Sequence, residues 1–191
     1  MTFLLKKDPI DLFSEWYSNA PSAAMTLATC SKECVPSARV VLLKEHSKEG
    51  FVFCTSINSR KGQDLMENSK AALVFHWAEF CRQVRVEGDV KLLNSRKADE
   101  YYSSRARDSQ ISTWCSKQSS VLKDWQEFEH NIELKSKEFH DQQIPRPSFW
   151  VGFCVIPKVI EFWQEGQHRR HTRFKYTLME ENAWKIEQLY P

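Results

Sequence analysis

The sequence predicts a small, mostly antiparallel β-barrel with helical additions, and three observations carry that reading. About seven short runs are rich in Val, Phe, Trp and Thr or alternate in polarity, as strands do. Helical stretches are inserted between those runs and not gathered at one end. No composition shift, repeat or low-complexity segment divides the 191 residues, so one domain (1–191) is expected.

Asp8-Pro9 opens the first helix, with Asp as N-cap and Pro at the first helical position. Leu12, Phe13, Trp16 and Tyr17 then share a helical face, and Pro21 follows the helix end, so residues 1–20 form an N-terminal helical segment. Strands are expected at Ala24–Thr29, Arg39–Lys44 and Phe51–Thr55, with Glu49-Gly50 turning between the last two. Ser59–Asn68 reads as a short helix capped by Asn58 or Ser59. Ala71–Trp77 and Gln83–Leu93 read as strands, the second broken at Gly88-Asp89. A helical insertion spans 95–140: Ser95–Arg105, Ser109–Ser116 and an amphipathic Val121–Phe139. After the Ile144-Pro145-Arg146-Pro147 break come four β segments: Trp150–Ile156, Val159–Trp163, Arg169–Leu178 and Ala183–Leu189.

Composition narrows the function classes. Hydrophobic residues at 41% and charged residues at 27% describe a globular chain able to bury a core. With only five Gly, neither GxGxxG nor GxxxxGK[ST] occurs, which excludes a Gly-rich phosphate loop. A net charge of +2 argues against a general nucleic-acid binder. The basic residues are instead clustered locally, which points to defined anionic groups. No apolar run has the length of a membrane span, and the N-terminus turns charged within six residues, so a cytoplasmic location is expected. Disulfides are then not expected among the six Cys. Cys30 and Cys34 lack a second Cys or His pair, so no metal site is expected.

Several stretches carry candidate chemistry. Val159–Tyr176 reads as a hairpin about Gln164–His168, and strand alternation would put Arg169, His171 and Arg173 on one face. Such a row suits an anion or an electron-rich ligand; it equally suits a solvated basic edge. In Arg39–Lys44, Arg39, Val41 and Leu43 share a face and Lys44 takes the other; strand-end snorkelling would give the same pattern. Asn58-Ser59-Arg60-Lys61 starts a helix with two cations and a hydroxyl, as a phosphate site or an ordinary capped surface helix would. Tyr101–Ser109, Trp114 and Lys117–Ser120 supply hydroxyls and Arg, for phosphate or for knitting a loop together. Gln83 offers an amide that donates and accepts, as a flavin edge requires.

In order, RVVLLK (39–44), CTSINSRKGQ (54–63), RQVRVEG (82–88), SRARDSQIS (104–112), SKQSS (116–120), RPSFWVGF (146–153), IEFWQ…RxHxR (160–173) and AWKIEQLYP (183–191) resemble the pyridoxamine 5′-phosphate oxidase family. The resemblance covers nearly the whole chain beyond about residue 24. It implies an FMN-binding split β-barrel that dimerises, with each flavin at the subunit interface. By position it implies FMN contacts from Arg39, Val40, Val41, Leu42, Leu43, Lys44, Cys54, Thr55, Arg60, Lys61, Gln83, Gln118, Ser119, Trp163 and Arg173. Lys44, Tyr101, Arg105 and Ser109 would hold the substrate phosphate and pyridine, and Arg169 and His171 would meet substrate beside the flavin as the catalytic pair. The implied reaction takes pyridoxamine or pyridoxine 5′-phosphate and O2 to pyridoxal 5′-phosphate and H2O2. Two phosphates of about −1.5 to −2 charge held close together need fixed cations, which these stretches supply.

The sequence departs from the family pattern at Arg170 (usually aliphatic), Thr172 (usually acidic), Cys54 (commonly aromatic) and Cys81 (commonly acidic), and its N-terminal extension is short. The same resemblance admits two other functions: a split-barrel flavoprotein acting on another small ring compound, or a flavin- or pyridoxal-phosphate-binding protein with little turnover.

Overall fold

A computed structural model describes residues 3–191; Met1 and Thr2 of the expected N-terminal segment lie outside the described residues. Helix α1 (Pro9–Tyr17) begins where the Asp8 carboxylate accepts the Ile10 N–H at 2.9 Å, satisfying a donor the first turn would leave free. Its apolar face buries Leu12, Phe13 and Trp16. Phe13 meets Phe51 and Phe75 edge-on, each at 4.9 Å, and so ties the helix to the core of the sheet.

The strands follow as β1 (Ala24–Cys30), β2 (Pro36–Leu42), β3 (Glu45–Ser47), β4 (Gly50–Ser56), β5 (Lys70–Trp77), β6 (Arg82–Leu92), β7 (Trp150–Gln164), β8 (Thr172–Leu178) and β9 (Trp184–Leu189). Helix α2 (Arg60–Glu67) lies between β4 and β5, and α3 (Ser95–Ser103), α4 (Arg107–Cys115) and α5 (Trp125–Glu138) lie between β6 and β7. All pairings are antiparallel, in the order β2-β1-β5-β6-β7-β4-β3, with β8 added to β7 and β9 to β8. The sheet curls until its ends approach: beyond β2, Lys44 N–H donates to the Val52 carbonyl of β4 at 2.8 Å. The antiparallel barrel with helical additions is therefore present. Its core is aromatic and aliphatic, and a second cluster of Tyr102, Ile111, Phe139, Ile144 and Trp150 roots the inserted helices.

Five expected elements differ. The Val159–Trp163 and Trp150–Ile156 segments are one strand, β7, running through Pro157. Pro157 sits opposite Gly88, where the β6–β7 register shifts between Glu87 and Gly88. The missing N–H thus falls in a bulge, where ladder bonding is already interrupted. A Cβ on Gly88 would lie 2.0 Å from the Ile156 carbonyl oxygen, so the close approach requires glycine. The first half of β7 pairs with β4 and the second with β8.

The expected Arg39–Lys44 strand begins earlier and ends at Leu42, because Leu43 drops into the core and Lys44 crosses to β4. The long insertion helix starts at Trp125, not Val121, where the Asp124 side chain caps it by accepting Gln126 N–H at 2.8 Å. Finally, β8 starts at Thr172, not Arg169. Gln167–Arg169 forms a 3₁₀ turn in which His168 and Arg169 have φ of 55° and 62°. Gly166 allows that turn, since a Cβ there would lie 2.0 Å from the Arg170 carbonyl oxygen.

Candidate active site

A cavity of about 960 Å³ opens between β2, β4, the start of α2 and the α3–α4 connection. Ser59 caps α2 by accepting Gly62 N–H at 3.3 Å, and the first turn folds Lys61 inward until it is 7% exposed. Lys61 Nζ donates to Thr55 Oγ1 (3.1 Å), Ser59 Oγ (3.3 Å) and Gln118 Oε1 (3.1 Å). All three partners are neutral. Burial, and then Arg39, lower the Lys61 pKa, because nothing beside it offsets its charge.

Arg39 is fixed by its own hairpin. Its Nη1 donates to Thr29 Oγ1 at 2.7 Å and the Leu27 carbonyl at 3.3 Å, and its Nη2 to Ser37 Oγ at 2.7 Å. Thr29 Oγ1 in turn donates to buried Asp64 at 2.6 Å, which stands 3.8 Å from Arg39 Nη2. Across the cavity, Arg105 donates to Thr113 Oγ1 at 2.8 Å and lies over the Trp150 ring at 5.3 Å. Burial lowers its pKa too. The Cys54 thiol is pushed up to about 11, burial outweighing the pull of Lys44, Arg105 and Arg146.

A second constellation lies in the sheet itself. Gln83, Trp163 and Arg173 are direct cross-strand neighbours on β6, β7 and β8. His171 joins them from the loop, its ring 4.8 Å from that of Trp163. The opposite face of the same strands carries Val84 and Phe162, both wholly buried.

The cavity gathers Arg39, Val40, Val41, Leu42, Lys44, Cys54, Thr55, Lys61, Arg105, Ser109 and Gln118 of the sequence-derived candidates. The rest lie elsewhere. Leu43 is 5% exposed in the core and its N–H donates to the Ala23 carbonyl at 2.8 Å, so it does not line the cavity. Arg60 stands exposed at the start of α2, and Ser119, at φ 72°, lines a neighbouring hollow. The Tyr101 hydroxyl donates to Glu45. Gln83, Trp163, His171 and Arg173 form the separate sheet row. The expected face shared by Arg169, His171 and Arg173 does not form, because Arg169 lies in the 3₁₀ turn and alternation does not reach it. Sequence reasoning missed Ser112, Thr113, Ser116, Phe149 and Trp150 as lining residues. Ser112, Ser116, Phe149 and Trp150 fall inside the quoted fragments SRARDSQIS, SKQSS and RPSFWVGF, so their positions were visible while their facing was not.

A curled antiparallel sheet whose ends meet beside a cation-lined cavity defines the class: a split β-barrel. The chain belongs to the pyridoxamine 5′-phosphate oxidase family. Residues 19–135 match the model described as pyridoxamine 5′-phosphate oxidase, and residues 150–191 match the pyridoxine 5′-phosphate oxidase C-terminal dimerisation region. The chain is 70% identical to a pyridoxine/pyridoxamine 5′-phosphate oxidase of Wolbachia pipientis wMel, over 100% of this chain and 91% of the relative. It is 52% identical to one of Ehrlichia ruminantium, over 98% of this chain and 100% of that one. Among solved structures it resembles PhzG from Burkholderia lata 383 in complex with tetrahydrophenazine-1-carboxylic acid: TM-score 0.92, 28% identity, covering 97% of this chain and 94% of PhzG. An FMN-binding protein from Nostoc punctiforme shares the fold at TM-score 0.77 and 14% identity, covering 100% of both chains. Among the described residues no helix is long and apolar enough to cross a membrane.

Proposed function

We propose that this chain is an FMN-dependent oxidase converting pyridoxamine 5′-phosphate and pyridoxine 5′-phosphate to pyridoxal 5′-phosphate in the cytoplasm. The observation that carries this reading is the pair of cation sets lining one cavity: Arg39 beside Lys61, and Lys44 with Arg105 beside Cys54. Two phosphate-bearing ligands meeting face to face need this arrangement. The donor chemistry fits FMN: a buried lysine among neutral acceptors has charge to spare for a phosphate, and the α2 first turn adds backbone N–H groups.

We read the functional unit as a homodimer, with the Gln83–Trp163–Arg173 row of one copy closing over the cavity of the other. The match of residues 150–191 to a dimerisation region supports this, since Trp163, His171 and Arg173 fall inside it. So does exposed apolar surface on β2, where Val40 is 67% and Leu42 52% exposed beside the cavity.

Held by Arg39, Lys61 and the first turn of α2, FMN would supply the redox chemistry: two-electron oxidation at substrate C4′ coupled to reduction of O2 with two protons to H2O2. The protein's part is placement. Lys44, Arg105 and Ser109 would hold the substrate phosphate at the wall opposite Lys61. Arg105, braced by Thr113 and the Trp150 ring, resists displacement by that anion. Arg169 and His171, on a Gly166-dependent loop, would orient the pyridine ring over the flavin. For the amine, water replaces the nitrogen, so one substrate, one O2 and one H2O give pyridoxal 5′-phosphate, ammonia and H2O2.

The test is aerobic incubation of FMN-loaded protein with pyridoxamine 5′-phosphate, following pyridoxal 5′-phosphate and peroxide in equal amounts. A yellow protein that forms neither would refute the oxidase. Arg169→Ala is expected to cut turnover while flavin stays bound; loss of flavin instead would refute its role at the substrate.

A further inference from the structure

Among the described residues two carboxylates are buried, Asp64 at 6% and Glu161 at 7% exposure. Neither was among the expected contacts to flavin or substrate. A buried carboxylate is costly unless cations and donors face it. Glu161 stands on β7 two residues before Trp163, hence on the same face of the sheet. Its Oε1 accepts from Arg173 Nε at 2.9 Å and stands 2.8 Å from Nη2 as an ion pair, and its Oε2 accepts from Arg85 Nη1 at 3.3 Å. The Arg173 Nη1 donates to the Tyr190 carbonyl at 3.1 Å. Of the five N–H groups of a guanidinium, the two hydrogen bonds leave three unassigned, one on Nη1 and two on Nη2.

We propose that Glu161 is a positioning residue for the flavin site: it locks the Arg173 guanidinium beside Trp163, leaving N–H groups of the two terminal nitrogens for the cofactor. This rests on the reading that Arg173 contacts FMN. The hairpin does not need the carboxylate to hold its strands. The β7–β8 ladder runs from Val159–Thr177 to Gln164–Thr172, and Phe162 packs edge-on against Tyr176 on the far face. What the ladder cannot do is choose a rotamer for a long side chain; the buried carboxylate, bonded to Nε and paired with Nη2, does that. Arg85 keeps the group from being a net negative charge beside an anionic cofactor.

Charge and geometry make opposite predictions for Glu161→Gln. Removing the negative charge would strengthen attraction to FMN; releasing Arg173 would weaken its fit. Positioning requires the second to win. The experiment is dilution of the holoenzyme, with dissociation read from the fluorescence of free flavin, for Glu161→Gln, Arg173→Ala and the double variant. Each single change is expected to weaken FMN binding about tenfold, the scale of one charge-assisted bond. The double variant should bind no more weakly than Arg173→Ala alone, since Glu161 acts through Arg173. Wild-type affinity in Glu161→Gln, or losses that multiply in the double variant, would overturn the proposal. Unchanged affinity in Arg173→Ala would show instead that Arg173 does not contact flavin, and the proposal would fall with that reading.

Discussion

The cavity and the sheet row handle positive charge in opposite ways. In the cavity, Lys61 is buried against three neutral oxygens. In the row, Arg173 is already paired with a buried carboxylate. A cation without a counter-charge holds its place at a cost that an arriving anion relieves. A cation already paired adds little net attraction, so its value is where it points. On the proposed reading the contrast teaches a division of labour: the cavity would supply affinity for phosphate, and the row would supply shape against the flavin ring. Arg39 lies between these cases, with Asp64 at 3.8 Å and shared with Thr29.

The largest effect tests whether the two regions belong to different copies. Arg39→Ala disables the cavity and Arg173→Ala disables the row, so each homodimer should be nearly inactive. Mixed dimers would carry one site built from two undamaged halves. Random pairing in a two-fold dimer predicts recovery of about a quarter of wild-type activity after mixing and reassembly. No recovery would mean that both regions serve a flavin within one chain.

Next in size is Lys61→Met, which separates affinity from stability. FMN binding should weaken about 10- to 100-fold, the range for a charge-assisted bond. The flavin-free protein should lose no thermal stability, because the uncompensated charge is gone and Thr55 still bonds Gln118 at 2.9 Å. A thermal melt with and without FMN reads both quantities. A destabilised protein with unchanged FMN affinity would reverse the argument.

The two regions also differed in how far sequence could reach them. Gln83, Trp163 and Arg173 were reached through motif order, and each falls in an expected strand; that pairing makes them cross-strand neighbours is the structure's addition. Arg169 was not, because alternation stops where His168 and Arg169 adopt positive φ, and neither is a glycine that would have signalled it. Pro157 is a parallel case: it falls in the gap between the expected Trp150–Ile156 and Val159–Trp163 segments, yet it is absorbed by a bulge that Gly88 makes possible. In the cavity, motif order located Lys61 and Gln118. That Gln118 reaches Lys61 across 57 positions of chain is tertiary information no local pattern holds. The Tyr101–Glu45 contact is equally non-local, joining α3 to the short strand β3, which lacks any sequence signal of its own.

A smaller effect concerns Cys54 on the cavity wall. With its pKa near 11, about one thiol in a thousand is ionised at pH 8. Iodoacetamide should therefore label the exposed Cys34 and Cys81 first and leave Cys54 intact, as peptide mass mapping would show. Rapid labelling of Cys54 would mean that the cavity cations outweigh burial.

The smallest effect lies away from both regions, where α1 meets β3. The Ser14 hydroxyl donates to the Ile10 carbonyl at 2.8 Å, which leaves its oxygen to accept from His46 Nε2 at 3.1 Å. His46 also packs against Phe13 and Tyr17 at 4.9 and 5.2 Å. Burial lowers its pKa from 6.5, and the neighbouring Glu45 opposes that shift. A histidine depressed in the folded state stabilises the fold fully above its unfolded pKa. That contribution is lost as the pH falls below about 6.5 toward the folded value. The thermal midpoint of wild type should therefore decline between about pH 6.5 and 5 more steeply than that of His46→Gln. Parallel curves would show that the Ser14 bond and the Glu45 charge together cancel the cost of burying the imidazolium.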